Sequence, residues 1–78
     1  MKIKLNNVEN IKISGDFIKL DALLKYTSIA FTGGEAKMLI TEGYVFVNGE
    51  VCMSRGKKIR PRDIVRFEGR LIRIADVV

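Results

Sequence analysis

Two stretches hold residues whose types and spacing suit the capture of an anion. In the first, Thr32-Gly33-Gly34-Glu35-Ala36-Lys37, a hydroxyl residue stands three positions before a glutamate, the pattern of a helix capping box. A helix starting here exposes unpaired amides and about half a positive charge at its first turn. Gly33 and Gly34 put no side chain in the way of a phosphate approaching those amides, and Lys37 adds a full charge about one turn further in. The second stretch, Arg55-Gly56-Lys57-Lys58-Ile59-Arg60-Pro61-Arg62, carries five cations and no acid. Such a run can neutralise several phosphates and release their counterions. Each stretch also has a plainer reading: a helix cap and nothing more, and a solvated loop.

Other chemistry is poorly provided for. The chain has no histidine, the usual acid-base residue near neutral pH. Cys52 is its only cysteine, so no intrachain disulfide can form and a Cys/His zinc site is excluded. That thiol reads as a small buried hydrophobe. Asp63, Glu68 and Asp76 are separated by basic or apolar residues and form no general acid-base pair. Gly33-Gly34 lacks the Gly-Lys-Ser/Thr ending of a nucleotide-hydrolase loop. The expectation is a protein without catalytic activity, metal, cofactor or small-molecule substrate. No apolar run approaches the roughly 20 residues that span a bilayer, so no membrane partner is expected. A lone free cysteine fits a cytoplasmic location.

The charge is unevenly placed. The net charge is +5, with six Lys/Arg against five Asp/Glu in residues 1–43 and eight against four in residues 44–78. A small domain with such a local excess is suited to a polyanion. Its 78 residues leave room for one domain, residues 1–78, whose 47% apolar content must supply the core alone.

These residues need elements to hold them. Lys2–Leu5 and Ile11–Ser14 alternate polar and apolar residues and predict a leading hairpin across the polar connection 6–10. From Lys19 the period becomes helical, with Leu20, Leu23, Leu24 and Thr27 on one face and Lys19, Asp21 and Lys25 outward. A second helix is predicted over 33–42, with Gly43 at the left-handed C-cap. The Thr32 hydroxyl is expected to accept from the Glu35 amide, and the Glu35 carboxylate to reach back to the Thr32 amide. Tyr44–Val47, Asn48-Gly49 and Glu50–Met53 predict a hairpin with a type I′ turn. Ile64–Glu68 and Leu71–Ala75 close the sheet around Gly69. The fold class is therefore α+β, two short helices packed on a mainly antiparallel sheet of about five strands.

The hairpin leaves one choice open. Tyr44 and Phe46 share a face with Val51 and Met53, while Val45 and Val47 share the other with Glu50 and Cys52. Exposed aromatics on a sheet can stack bases, but the expectation favours core packing for Tyr44 and Phe46.

Lys19-Leu20-Asp21-Ala22-Leu23-Leu24, then Thr32 to Lys37, then Glu42-Gly43-Tyr44-Val45-Phe46-Val47-Asn48-Gly49 resembles the S4-type RNA-binding domain and its αL motif. Arg55-Gly56-Lys57-Lys58-Ile59-Arg60-Pro61-x-Asp63 extends the match to about residues 18–68 and is most similar to short stand-alone bacterial S4-like proteins of the YaaA/YbcJ type. Gly33 stands where the wider superfamily often carries arginine, Lys19 where arginine is commoner, and Arg62 where glycine is usual.

The resemblance implies binding of structured RNA, ribosomal or transfer RNA, by shape and phosphate position, with the ribosome as a further partner. The expected contact residues are Lys19, Lys25, Thr32, Gly33, Gly34, Lys37, Asn48, Arg55, Lys57, Lys58 and Arg60, with Lys19 brought near the second helix by packing and the Asn48 contact resting on resemblance alone. Two rivals stay open: an assembly factor that docks on protein with little RNA contact, and a DNA-binding protein. No predicted helix is long enough to read a major groove convincingly.

Overall fold

The computed structural model describes residues 8–75. Its elements are β1 (Val8–Ile11), β2 (Ile18–Lys19), α1 (Leu20–Tyr26), α2 (Gly33–Thr41), β3 (Val45–Val47), β4 (Glu50–Val51), β5 (Lys58–Ile59), β6 (Ile64–Phe67) and β7 (Arg70–Ile74). Five strands form one sheet in the order β1-β7-β6-β3-β4, and β2 with β5 forms a separate ribbon. All pairings are antiparallel except that of β1 with β7. The α+β expectation of two helices on a mainly antiparallel five-stranded sheet holds.

Both helices follow their apolar spacing. Leu20, Leu23 and Leu24 of α1 and Ala36 and Ile40 of α2 are buried against Val45, Val47, Val65, Ile72 and Ile74 of the sheet. Thr27 ends α1 by turning its hydroxyl back onto the Leu23 carbonyl at 2.9 Å, which satisfies a polar group in a buried place. Gly43, at φ 86°, takes the left-handed position after α2, where glycine carries no Cβ penalty.

Turn chemistry sets the rest. Asn48 and Gly49, at φ 51° and 87°, give the β3–β4 turn the two positive angles that type I′ needs. The turn Arg60–Asp63 closes with the Asp63 amide donating to the Arg60 carbonyl at 3.0 Å, and Arg62 sits at φ 78°. Proline followed by a positive φ is the type II pattern. Such an angle suits the glycine that the resemblance led one to expect there; Arg62 keeps the turn and bears the strain.

Three expectations are corrected. Residues 8–10, expected as part of a polar connection, join Ile11 in a strand that runs parallel to β7, and residues 12–14, expected in a strand, lie outside one; the Lys2–Leu5 arm of the expected leading hairpin lies outside the described residues. Glu9, half-buried on β1, is tied to Arg70 by two bonds of 2.6 and 2.7 Å. These bonds hold its carboxyl below the ordinary glutamate range and raise the guanidinium. Second, the Glu35 carboxylate accepts from the Phe31 amide at 2.8 Å, one residue before the expected Thr32 amide. Third, Val45 and Val47 face the core, leaving Tyr44 56% exposed and Phe46 half-buried under the Arg66 guanidinium, 4.3 Å from its centroid. Pairing with β6 decides this: Val47 lies opposite Val65, itself fully buried, whereas Phe46 lies opposite Arg66.

Candidate nucleic-acid interface

The basic run is organised by the β2–β5 ribbon. Ile18 pairs with Ile59 and Lys19 with Lys58. Alternation along a strand sends neighbours to opposite faces. Ile59 is fully buried and Ile18 packs against the core, so Lys19 and Lys58 share the outward face. Phe17 and Arg60, one step on in the same register, fall on that face too. The Lys58 ammonium lies 4.9 Å and the Arg60 guanidinium 5.7 Å from the Phe17 ring centroid, within the reach of a cation–π contact.

The loop before β5 is fastened to α1. The Leu20 amide donates to the Lys57 carbonyl at 2.9 Å and the Asp21 amide to the Arg55 carbonyl at 3.1 Å. The first amides of α1 are thus consumed by protein, and the exposed side chains of Arg55 and Lys57 are held beside the ribbon. At the other end of the run, the Asp63 carboxylate accepts from the Arg60 amide at 2.8 Å and from the Asn48 side-chain amide at 3.1 Å. The Asn48 side-chain oxygen accepts from the Ile64 amide at 3.0 Å. Both ends of Asn48 serve the turn, which accounts for this residue without a ligand.

The start of α2 differs from that of α1. The Thr32 hydroxyl accepts from the Glu35 amide at 3.0 Å, and the Thr32 carbonyl from the Ala36 amide at 3.0 Å. The Gly33 and Gly34 amides have no partner among the described residues. Both glycines are exposed; a Cβ at Gly33 would meet nothing within 4 Å, and one at Gly34 only the Thr32 hydroxyl at 4.0 Å. Two amides at a helix start, open on the side a ligand approaches, can accept an anion. Lys37, a turn further on, is also exposed.

The structure therefore gathers Lys19, Lys58 and Arg60 on one ribbon face, with Arg55 and Lys57 on the adjoining loop. Thr32, Gly33, Gly34 and Lys37 form a second group. Ile29 and Ala30 donate to the Leu24 carbonyl, so α2 begins beside the C-terminal end of α1, where Lys25 stands. Lys19 precedes the other end, about 10 Å of helix away. Among the described residues none of these seven lysines and arginines forms an ion pair; the pair seen is Arg70 with Glu9.

Phe17 was missed from sequence, although Phe17-x-Lys19 mirrors Lys58-x-Arg60 and an aromatic inside a basic alternation was the available signal. Cys52 is half-buried, its Sγ 3.7 Å from the Ser54 carbonyl, and so is less enclosed than expected. No helix among the described residues is long and apolar enough to cross a membrane, and no group of acidic, cysteine or histidine side chains there could hold a metal ion.

Comparison with known proteins places this geometry. A family model for the S4 domain matches residues 11–75. The probable ribosome maturation protein RlbA of Bacillus subtilis (strain 168) is 37% identical over 59 residues, which cover 76% of this chain and 83% of that protein. The solution structure of YbcJ from E. coli, which has an αL motif involved in RNA binding, superposes with a TM-score of 0.68 at 28% identity, over 96% of each chain. With the matched stretch taking in both helices, the ribbon and the closing strands, the chain belongs to the S4 domain family.

Proposed function

We propose that this protein binds structured RNA without catalysing a reaction on it, gripping phosphates with the β2–β5 ribbon face and the open start of α2. The observation that carries this reading is the outward trio Lys19, Lys58 and Arg60, crowded on one face and lacking carboxylate partners among the described residues. Like charges directly opposite across strands destabilise the pair, so the arrangement makes sense where an external polyanion offsets the repulsion. YbcJ, with its RNA-binding motif, supports RNA as the polyanion. The ribosome maturation role in the name of RlbA supports ribosomal RNA ahead of transfer RNA, and a ribosomal precursor in the cytoplasm as the setting. An A-form duplex, with its wide shallow minor groove and close phosphates, suits a small basic surface.

Competition between duplex RNA and duplex DNA of matched length tests the reading. RNA should win at equal concentration, and Lys58→Glu should weaken its binding at least about tenfold, the effect of roughly 1.4 kcal/mol. Equal affinity for the two duplexes would favour the DNA rival. Ribosome association untouched by Lys58→Glu would favour docking on protein, for which the exposed side chains of Tyr44, Val51 and Met53 offer a surface.

A further inference from the structure

Beside the basic ribbon the fold leaves an open groove of about 320 Å3, lined by Lys12, Ile13, Ser14, Phe17, Ile18 and Tyr26. Gly15, at φ 94°, bends the chain between β1 and β2 so that residues 12–14 face the end of α1. Tyr26, in the last turn of α1, is 64% exposed, an unusual position for a ring next to an apolar wall. No carboxylate of the described residues lines the groove. Phe17 is common to the groove and the ribbon: its ring meets Lys58 and Arg60 and also forms part of the groove wall.

We propose that this groove takes one unpaired nucleotide of the bound RNA, its base stacked on the Tyr26 ring. This rests on the RNA reading above and adds to it a preference for a bulge or loop over a continuous duplex. The volume lies at the lower end of the range that admits small ligands, about 300–1,000 Å3, room for one nucleotide. The exposed aromatic provides a stacking platform, which accepts any base because every base has a π-face. Ile13, Ile18 and the Phe17 edge exclude water from the stacked base. Lys12 and the Ser14 hydroxyl supply donors for its edge or ribose. Lys58 and Arg60, held against the Phe17 ring of the groove wall, adjoin the groove and would meet the phosphates of the nucleotide. An unpaired nucleotide joins one apolar, flat part to one strongly anionic part, and the groove and its cationic margin present the matching pair.

The test compares a hairpin RNA bearing a single bulged adenosine with the same stem fully paired. The wild-type protein should bind the bulged RNA at least about fivefold more tightly, the lower end of measured base–aromatic stacking. Tyr26→Ala should remove that preference and leave affinity for the paired stem unchanged, and Tyr26→Phe should restore it. Tyr26 ring-proton resonances should shift with the bulged RNA and not with the paired stem. Equal affinity of the wild type for both RNAs would overturn the proposal while leaving the RNA reading intact. A preference that survives Tyr26→Ala would place the base elsewhere and overturn it too. Binding to neither RNA would remove the RNA reading itself and this proposal with it. Dimerisation of the free protein that Tyr26→Ala abolishes would assign the groove to a second copy and likewise overturn it.

Discussion

Lys19 and Lys58 stand directly opposite each other across the β2–β5 ribbon, and neither has a carboxylate partner among the described residues. Their placement follows from two buried isoleucines: with Ile18 and Ile59 turned inward, strand alternation leaves the lysines no other direction. Opposed like charges cost about 0.2–1 kcal/mol, and for exposed groups in salt the lower end applies. Lys19→Gln, which relieves the repulsion without touching the Lys58 contact with Phe17, should therefore raise stability slightly in urea melts at low ionic strength, while RNA affinity falls several-fold. A loss of both together would mean that Lys19 serves the fold.

The first turn of α2 allows stability and binding to be separated in the same way. Gly33 and Gly34 have space for a Cβ and neither has a positive φ. Alanine is a better helix former than glycine by up to about 1 kcal/mol in a helix interior, less near its end. Gly33→Ala and Gly34→Ala should leave the thermal midpoint unchanged or higher, yet weaken RNA binding by crowding the open amides. Thr32→Ala, by contrast, removes the cap at Glu35 and should cost about 1 kcal/mol of stability, measured by denaturant unfolding.

Burial at Ile59 supports the interface from behind. The side chain is fully buried between two exposed cations. Ile59→Ala should destabilise the domain by about 2–5 kcal/mol, a large share of what a protein of this size has. Ile59→Val, costing about 0.5–1.5 kcal/mol, should keep both the ribbon and RNA binding.

The Glu9–Arg70 pair predicts a pH response. Arg70 donates two hydrogen bonds to Glu9 and holds its carboxyl below the usual value of 4.5. A group whose pKa is depressed in the folded state adds stability above its unfolded pKa and loses it as pH falls through the folded value. Both side chains are more than a third exposed, so solvent screening keeps the effect small. Urea midpoints should be flat from neutral pH to about pH 5 and decline below the ordinary glutamate range. Glu9→Gln should lower the neutral midpoint slightly and flatten that decline.

Much of this was legible in the residue order. The Thr32 cap, the α1 leucines and the Asn48-Gly49 turn each depend on neighbours within four positions, and each formed as expected apart from the one-residue shift of the Glu35 bond. The two-residue strands β2 and β5 left no periodicity to read, because their pairing joins residues some forty positions apart. The parallel pairing of β1 with β7 was hidden for the same reason. Both faces of the β3–β4 hairpin are apolar, and the choice of Val45 and Val47 for the core came from β6, which alternation within the hairpin could not specify. At the candidate site, the sequence named the cations but not their grouping: Lys19 lies with Lys58 and Arg60 on the ribbon, while Lys37 stands with the start of α2. Phe17 and Tyr26 belonged to no motif and emerged only when the fold placed them at one groove.

The central claim is that phosphates rest on the ribbon face and at the start of α2, and the salt dependence of RNA binding tests it most directly. With four to six phosphates covered, log K against log salt should fall with a slope of roughly −3 to −5. Lys19→Gln combined with Lys58→Gln should reduce the steepness by roughly 1.5, about 0.7–0.9 for each phosphate no longer neutralised. A wild-type slope near zero, or one that the double variant leaves unchanged, would contradict the account.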